Sequence, residues 1–304
     1  MIWNKKNKIY TPKYDGSWMD NTALTPTPFL LNQDTIRIFV SFRDPSGIGR
    51  LGYVDVEAEN PSKVIRISSN PVLDIGSPGA FDDNGMILGD IVRYKDDLLL
   101  YYVGFQLATK CKFLAFTGLA ISKDKGQTFS RHSEVPIYDR YDGGKYIVAI
   151  HSIFVENKIF RCWYATCNGW TEINGQSYPK YDISYCESND GINFNSGTRC
   201  ITCDEQNGEY RIGRPRVFKY DNKYIMYFTY GTKDGRYQAG QAISDDGITW
   251  LRNDEELTLM PSNQGWDSKH ISYPSYICSP LGKQYLFYNG NDHGVDGFGY
   301  AQLL

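Results

Sequence analysis

The stretch Arg214-Pro-Arg-Val-Phe-Lys-Tyr220, together with the apolar run Tyr224–Tyr230 and the segment Ala239–Trp250, decides the fold of this 304-residue chain. A polar turn, Asp221-Asn-Lys223, separates the first two runs, and Asn and Asp are residues that tight hairpins favour. The third segment ends in Ser244-Asp-Asp-Gly-Ile-Thr-Trp250. The pattern therefore predicts three successive antiparallel strands joined by short connections.

The same unit recurs along the chain, with first-strand starts 64, 62, 63 and 59 residues apart. A repeat of about 60 residues indicates a propeller or solenoid, because each unit needs its neighbours to bury its faces. The other first strands are Thr25–Leu31, Gly89–Tyr94, His151–Glu156 and Tyr273–Cys278. The second strands are Ile36–Phe42, Leu98–Val103, Ile159–Ala165 and Gln284–Asn289, and the third are Leu51–Asp55, Thr117–Ile121, Asp182–Cys186 and Phe298–Gln302.

Five matched triplets predict an all-β chain folded as one five-bladed β-propeller over residues 1–304. A β-sandwich is the alternative, but it gives no reason for five matched triplets. The blades are expected at residues 25–58, 87–131, 148–196, 212–252 and 271–304, with 1–24 as an N-terminal closing segment.

Charge and composition exclude several classes of partner. Lys and Arg number 32 against 35 Asp and Glu, a net charge of −3, which gives no electrostatic case for nucleic acid or an anionic membrane. The N-terminal residues, 1–8, lack the apolar core of a signal peptide. Seven irregularly spaced cysteines do not resemble a disulfide framework. We therefore expect a cytoplasmic protein, and a monomer, since a closed ring of blades needs no partner.

Three turns share the pattern Ser-x-Asp, Gly and an aromatic residue: Ser122–Phe129, Ser188–Phe194 and Ser244–Trp250. This phrase resembles the Asp-box turns of sialidase-like propellers. The resemblance implies a structural hairpin in which the Asp accepts hydrogen bonds from backbone N–H groups, rather than a reactive site.

Candidate functional residues follow from the predicted topology. The starts of the five first strands converge at the axis, and loops on a rigid scaffold are where binding groups concentrate. The ring positions are then Thr25, Asp90, His151, Arg214 and Tyr273. Strand ends and loops that lead into the ring add Asp20, Arg43, Asp83, Asn168, Trp170, Glu209, His270, Asn291, Asp292 and His293. Carboxylates, arginines, amides and aromatic rings around a funnel suit a polyhydroxylated ligand, so we expect a carbohydrate.

The chain resembles the five-bladed propellers of glycoside hydrolase families 32, 43, 62 and 68, with family 130 as a further relative. The resemblance rests on Phe81-Asp-Asp-Asn-Gly85, Ile36–Asp44, Tyr288-Asn-Gly-Asn291 and Gly297-Phe-Gly-Tyr-Ala301. It implies a glycosidase acting on a glycan or glycoconjugate in the central funnel. The related furanosidases place carboxylates at inner strand starts, whereas here Asp90 is the one carboxylate in a ring position.

Two interpretations of the funnel follow. In the first, two of Asp90, Glu209, Asp83 and Asp20 act as catalytic acid and base with separated pKa values. In the second, cationic groups bind an anionic sugar or phosphate, since Arg pairs bidentately with both. The substrate-binding candidates are Arg43, His151, Arg214, His270, Tyr273, Trp170, Asn291 and Asp292. A non-catalytic carbohydrate-binding propeller and a glycoside phosphorylase are the alternative functions. We expect no cofactor, with an axial divalent ion as the alternative.

Overall fold

The computed structural model describes all 304 residues, apart from the side chain of Asn168. The chain is all-β, with 20 strands joined by turns and by short 3₁₀ segments at Glu205–Asn207, Asp254–Glu256 and Asn291–Gly294. None of the described segments is a helix that is both long enough and apolar enough to cross a membrane.

The strands form five consecutive antiparallel groups, of which the second, third and fourth are joined into one 12-stranded sheet by short parallel pairings. The first group is β2 (Thr22–Leu30), β3 (Thr35–Arg43), β4 (Gly49–Glu57) and β5 (Asn60–Ile67). The second is β6 (Met86–Tyr94), β7 (Asp97–Leu107), β8 (Phe113–Ser122) and β9 (Ser130–Arg131). The third is β10 (Ile147–Glu156), β11 (Ile159–Ile173), β12 (Gln176–Ser188) and β13 (Thr198–Ile201). The fourth is β14 (Glu209–Tyr220), β15 (Lys223–Thr232), β16 (Tyr237–Ser244) and β17 (Leu251–Arg252). The fifth is β18 (Ser272–Cys278), β19 (Gln284–Asn289), β20 (Phe298–Leu303) and, from the start of the sequence, β1 (Trp3–Tyr10).

The first strands of the five groups form a closed cycle of neighbours. β2 contacts β6, β6 contacts β10, β10 contacts β14, β14 contacts β18, and β18 returns to β2. The N-terminal strand β1 pairs antiparallel with the C-terminal strand β20, with Trp3 opposite Leu303 in the ladder. The first and last strands of the sequence therefore lie in one sheet, and their pairing closes the cycle.

Buried polar side chains join each group to the next around this cycle. Each accepts a hydrogen bond from a backbone N–H of the following first strand at 2.8–3.0 Å. A buried acceptor without a donor would cost about 1–3 kcal/mol, so the five bonds also fix how neighbouring groups pack. The pairs are Ser41 with Leu88, Thr117 with Ile150, Ser152 with Val217, Thr229 with Tyr273, and Asn289 with Thr25.

The three Asp-box turns are structural, as their pattern predicts. Asp246 accepts backbone hydrogen bonds from Ile248 and Thr249 at 2.7 and 2.8 Å. These donors lower the pKa of Asp246 to about 2, because they stabilise the ionised carboxylate. Asp124 and Asp190 accept equivalent bonds in their own turns.

Each first strand carries a β-bulge at the same place. The register in β14 moves from Gly213 opposite Thr229 to Arg216 opposite Tyr227, which leaves one extra residue on β14. Bulges re-aim side chains and are frequent beside binding sites. The residues at the bulge are Thr25, Gly89, His151, Arg214 and Tyr273.

Three of these bulge residues have a left-handed backbone although none is glycine. Thr25, Arg214 and Tyr273 have φ of 55°, 56° and 55°, and a proline follows each of them. Such conformations cost about 1–3 kcal/mol each and tend to occur at functional sites. The bulges thus turn side chains toward the centre of the ring at some conformational cost.

Candidate ligand-binding cavity

Four of the five bulge residues converge on one central cavity of about 370 Å³. Thr25, His151, Arg214 and Tyr273 all line it, as does Arg43 from the end of β3. The volume lies within the range of about 300–1,000 Å³ that is usual for small-molecule sites. The cavity is therefore large enough for a small ligand and is formed by all five groups of strands.

Three arginines line this cavity, namely Arg43, Arg211 and Arg214, and none of them forms an ion pair with a described carboxylate. The other enclosed arginines behave differently. Arg37 pairs with Asp55, Arg131 with Asp82, Arg161 with Glu156, Arg216 with Asp90 and Arg252 with Glu209. Charges removed from water are normally paired, because desolvation of an unpaired ion is costly. The cavity thus carries positive charge that the protein itself leaves uncompensated.

Arg214 extends from β14 to strands of the first and second groups. Its Nη1 donates to the carbonyl oxygens of Leu88 and Gly89, the latter at 3.0 Å, and Nη2 donates to Thr27 Oγ1 at 2.9 Å. Desolvation, followed by the charge of Arg216, lowers the pKa of Arg214 to about 9. The guanidinium therefore stays charged at neutral pH.

Arg211 is held among tyrosines. Its guanidinium carbon lies 4.4 Å from the ring centre of Tyr237 and 5.0 Å from that of Tyr210, distances typical of cation–π contacts. Its Nε is buried and has no hydrogen-bond partner in the described structure. Desolvation acts to lower the pKa of Arg211, but the neighbouring tyrosines, Tyr181 foremost, outweigh it and the pKa is raised.

A row of three hydrogen-bonded groups forms the adjoining wall. The hydroxyl of Tyr237 donates to that of Tyr273 at 3.1 Å, and the hydroxyl of Tyr273 lies 3.2 Å from Nδ1 of His293. Desolvation, then the charges of Arg211, His270 and Arg43, lowers the pKa of His293 to about 4. The imidazole is therefore neutral at pH 7, so its Nδ1 can accept the proton of Tyr273.

The four carboxylates that the sequence suggested as catalytic groups lie outside the cavity lining. Both oxygens of Asp90 accept backbone bonds, from Ile91 and Ile153 at 2.7 Å, and the carboxylate pairs with Arg216. Glu209 pairs bidentately with Arg252 at 2.6 and 2.8 Å. Asp83 accepts from the backbone of Gly79, and Asp20 from that of Gly16. Among the side chains that the structure describes, none that lines the cavity is a carboxylate.

Asp90 lies one residue from the position expected for it. In β6 the extra residue of the bulge is Gly89, because Leu88 faces Tyr102 and Asp90 faces Tyr101. The residue equivalent to His151 and Arg214 is therefore Gly89. Asp90 instead corresponds in register to Ser152 and Arg216, on the first-strand segment beyond the bulge.

The binding residues expected from the sequence divide into two sets. Arg43, His151, Arg214 and Tyr273 line the cavity together. Trp170 lies behind the lining, with its ring centre 5.9 Å from that of Phe113. Asn291 holds the adjoining loop through the backbone N–H groups of Lys269 and His270. His270 packs 6.3 Å from His293, and Asp292 is exposed. Asn168 lies outside the described side chains.

The sequence interpretation missed Tyr237 and Tyr181 and gave no role to Arg211, although the structure places all three in the lining. Alternation along β14 gives one usable signal, because Arg211 and Gly213 lie on the same face two residues apart. His293 follows the second strand of the fifth group, which is the position that predicts it near the ring, and it lines the cavity from a 3₁₀ segment with a left-handed φ of 57°. Within the described residues, no group of three or more His, Cys, Asp or Glu side chains is arranged to hold a metal ion.

Solved structures with the same fold are glycoside hydrolases and related proteins. A glycosyl hydrolase from Bacteroides ovatus aligns with a TM-score of 0.70 at 15% identity, covering 99% of this protein and 93% of the other. A thermostable family-43 glycoside hydrolase aligns with a TM-score of 0.68 at 16% identity over 96% and 90% of the two proteins. A structure from the work "The GH130 family of mannoside phosphorylases contains glycoside hydrolases that target beta-1,2 mannosidic linkages in Candida mannan" aligns with a TM-score of 0.68 at 14% identity over 99% and 93%. The resemblance drawn from the sequence is confirmed at the level of the fold, which is that of the propeller glycoside hydrolases.

Sequence relatives place the chain more narrowly. It is 31% identical over 305 aligned positions to the uncharacterized protein Rv1502 of Mycobacterium tuberculosis strain H37Rv, covering 100% of this chain and 99% of the relative. Uncharacterized protein MT1551 of strain CDC 1551 matches with the same identity and coverage. The chain belongs to the family of these mycobacterial proteins. No protein-family model matches it.

Proposed function

We propose that this chain is a carbohydrate-active enzyme of the glycoside hydrolase type, and that its central cavity takes an anionic sugar of a glycan or glycoconjugate. The five strand groups would be the blades of a five-bladed β-propeller, with the cavity on its axis. The observation that carries the proposal is the set of three cavity arginines, Arg43, Arg211 and Arg214, without a carboxylate partner among the described residues.

Electrostatics supports an anionic ligand over a neutral one. Burial of Arg43 away from water lowers the pKa of its guanidinium, because desolvation disfavours the charged form. A carboxylate or phosphate would compensate this cost through charge-assisted hydrogen bonds, which are about twice as strong as neutral ones. A uronic acid or a sugar phosphate presents such a group on a polyhydroxylated ring. The neutral imidazole of His151 and the hydroxyl of Tyr273 would form hydrogen bonds with the hydroxyl groups of that sugar ring.

The reacting groups that we propose are Tyr273 and His293 rather than a pair of carboxylates. Tyrosine replaces the carboxylate nucleophile in some glycosidases that act on acidic sugars, where a second carboxylate would repel the substrate. His293 Nδ1 lies within hydrogen-bond reach of the Tyr273 hydroxyl, as a proton acceptor must. Desolvation raises the pKa of Tyr273, while Arg211 and Arg43 act in the opposite direction.

A second candidate function, binding without catalysis, is favoured by a separate observation. The described cavity lining contains no carboxylate that could act as general acid or base. A propeller that had kept its funnel and lost its acids would have this composition. Turnover therefore has to be tested separately from binding.

The binding experiment is isothermal titration of the protein with glucuronate, galacturonate, glucose 1-phosphate, inorganic phosphate and glucose. We expect the anionic sugars to bind more tightly than glucose. Arg43→Gln and Arg211→Gln should each weaken anion binding at least about tenfold, because each removes one charge from the site. Arg140→Gln is the control, because the Arg140 side chain is exposed and the substitution removes one positive charge away from the cavity. Equal affinity for glucose and the anionic sugars would overturn the proposal.

The turnover experiment uses nitrophenyl glycosides of neutral and acidic sugars, with and without phosphate. Loss of turnover in Tyr273→Phe, with turnover kept in Asp90→Asn, would support the tyrosine and histidine pair. Turnover that depends on phosphate would instead assign phosphorolysis. Anion binding without turnover of any substrate would favour the binding function.

A further inference from the structure

The two halves of the cavity differ in chemistry, and from this we infer that the ligand joins its anionic sugar to an apolar group such as an alkyl or acyl chain. This inference rests on the proposed function and narrows its substrate class. It concerns the part of the cavity that faces away from the arginines.

The charged half of the cavity is formed by the first, fourth and fifth groups of strands. Arg43 comes from β3, Arg211 and Arg214 come from β14, and Tyr273 comes from β18. His293 follows β19. The three arginines of the lining therefore lie together on one side of the cavity.

The other half is formed by the second and third groups, and it contains a continuous apolar wall. This apolar wall consists of Ile87, Val103, Phe105, Phe113, Ala115, Ile147, Ala149 and Ala165. These side chains also pack on one another as a single hydrophobic cluster. The polar lining residues from these two groups are His151 at the bulge, the exposed Lys112, and Ser177, Tyr178 and Tyr181 of β12. A sugar ring alone would leave its hydroxyls against this wall without partners, which is unfavourable.

Small residues make room beside this wall. Ala149 and Ala165 face each other across the ladder of β10 and β11, and Ala115 pairs with Ile147 between β8 and β10. Gly213 lies next to them, since a Cβ there would come within 3.5 Å of the Ala165 Cβ and 2.8 Å of the Tyr181 ring. Larger side chains at these positions would fill the apolar half, so the space depends on their size.

The volume is sufficient for two ligand parts. An apolar cavity of about 150 Å³ holds one benzene molecule, which is similar in size to the ring of a sugar. The cavity here, at about 370 Å³, is more than twice as large. A sugar on the arginine side therefore leaves room for an apolar group of several carbon atoms against the opposite wall.

The experiment measures the affinity of matched ligands by isothermal titration. The ligands are methyl and hexyl β-D-glucuronide, methyl and hexyl β-D-glucoside, and methyl and hexyl phosphate. We expect the hexyl form of each anionic ligand to bind at least about tenfold more tightly than the methyl form, because each buried methylene adds affinity. In Ala149→Leu, which fills the apolar half, the ratio of hexyl to methyl affinity should fall to within about threefold of one. Val103→Ala, which thins the same wall, should also lower that ratio and serves if the first variant folds poorly.

The outcomes separate this inference from the proposed function. Preference for anionic ligands with equal affinity for methyl and hexyl forms would overturn the inference and leave the proposed function standing. Hexyl preference without any preference for anionic ligands would overturn both, as would failure of every ligand to bind. A hexyl preference that survives unchanged in both wall variants would place the alkyl chain elsewhere and overturn the inference.

Discussion

Nη1 of Arg214 lies 3.0 Å from Nδ1 of His151, so the guanidinium of Arg214 and the imidazole of His151 are in direct contact. A guanidinium can only donate, and therefore Nδ1 of His151 accepts and its proton resides on Nε2. Desolvation, together with the charge of Arg214, holds the pKa of His151 well below its usual value. The contact thus fixes a neutral imidazole of defined tautomer in the wall of the cavity.

Replacement of Arg214 tests how much this contact and its backbone geometry matter. Arg214→Ala should lower the free energy of unfolding by about 2–4 kcal/mol, since it leaves buried carbonyl oxygens of Leu88 and Gly89 without their donor. Arg214→Gly loses the same bonds but relieves the left-handed φ of 56°, so it should be about 1 kcal/mol more stable than the Ala variant. Urea unfolding of the two variants gives the difference, with Arg140→Ala as the surface control. An Ala variant as stable as the Gly variant would show that the backbone here is not strained.

Arg211 should reduce stability in the absence of ligand. Its Nε is buried without a partner, and its charge is matched by cation–π contacts rather than by a carboxylate. Arg211→Met keeps the volume and removes the charge, so we expect the free energy of unfolding to rise by about 1 kcal/mol. That corresponds to a Tm about 2 °C higher for a chain of this size.

The same Arg211→Met variant should bind anionic sugars at least about tenfold more weakly in isothermal titration. A gain in stability with a loss of binding is typical of a residue retained for function. If the variant were less stable than the wild type, the charge of Arg211 would instead be part of the structural framework.

The pH dependence of stability should report the neutral His293. Its pKa in the folded protein is about 4, against about 6.5 for an unperturbed histidine, so between these values the unfolded state binds more protons. The contribution of the neutral His293 to the free energy of unfolding is therefore complete above pH 6.5 and is lost as the pH falls toward 4. For this residue the loss between pH 7 and pH 5 is about 2 kcal/mol, and His151 acts in the same direction.

Urea unfolding at several pH values between 5 and 7 measures this effect. His293→Gln should flatten the dependence, while His132→Gln, away from the cavity, should leave it as in the wild type. A slope that is equally steep in His293→Gln would show that other groups account for the acid sensitivity.

The strand pattern could be predicted from the sequence because it depends on local periodicity. All fifteen strands expected from the repeat are present. The Asp-box turns have the hydrogen bonds from backbone N–H groups to the Asp side chain that their pattern predicts. Thr25, His151, Arg214 and Tyr273 were also found, since each begins a predicted first strand. These features need only hydrophobic alternation and turn residues to be recognised.

The composition of the cavity could not be predicted in the same way. A bulge shifts the strand alternation by one residue, which moves Gly89 rather than Asp90 to the ring position. Whether a charge is paired also depends on residues far apart in sequence, as with Asp90 and Arg216, which are separated by 126 positions. The absence of carboxylates from the described lining is a consequence of such long-range pairs, and no local pattern reveals it.

Asp90 provides a test that separates a structural role from the catalytic role first predicted for it. It accepts backbone hydrogen bonds from Ile91 and Ile153 and pairs with Arg216, so Asp90→Asn should lower the free energy of unfolding by about 3 kcal/mol. Anion affinity and any turnover, measured below the unfolding transition, should stay close to those of the wild type, because the carboxylate lies outside the cavity lining. The matched comparison is Glu209→Gln, which breaks the bidentate pair with Arg252 and should behave alike. Loss of turnover in Asp90→Asn with an unchanged Tm would restore Asp90 as a catalytic group and would remove the argument for Tyr273 and His293.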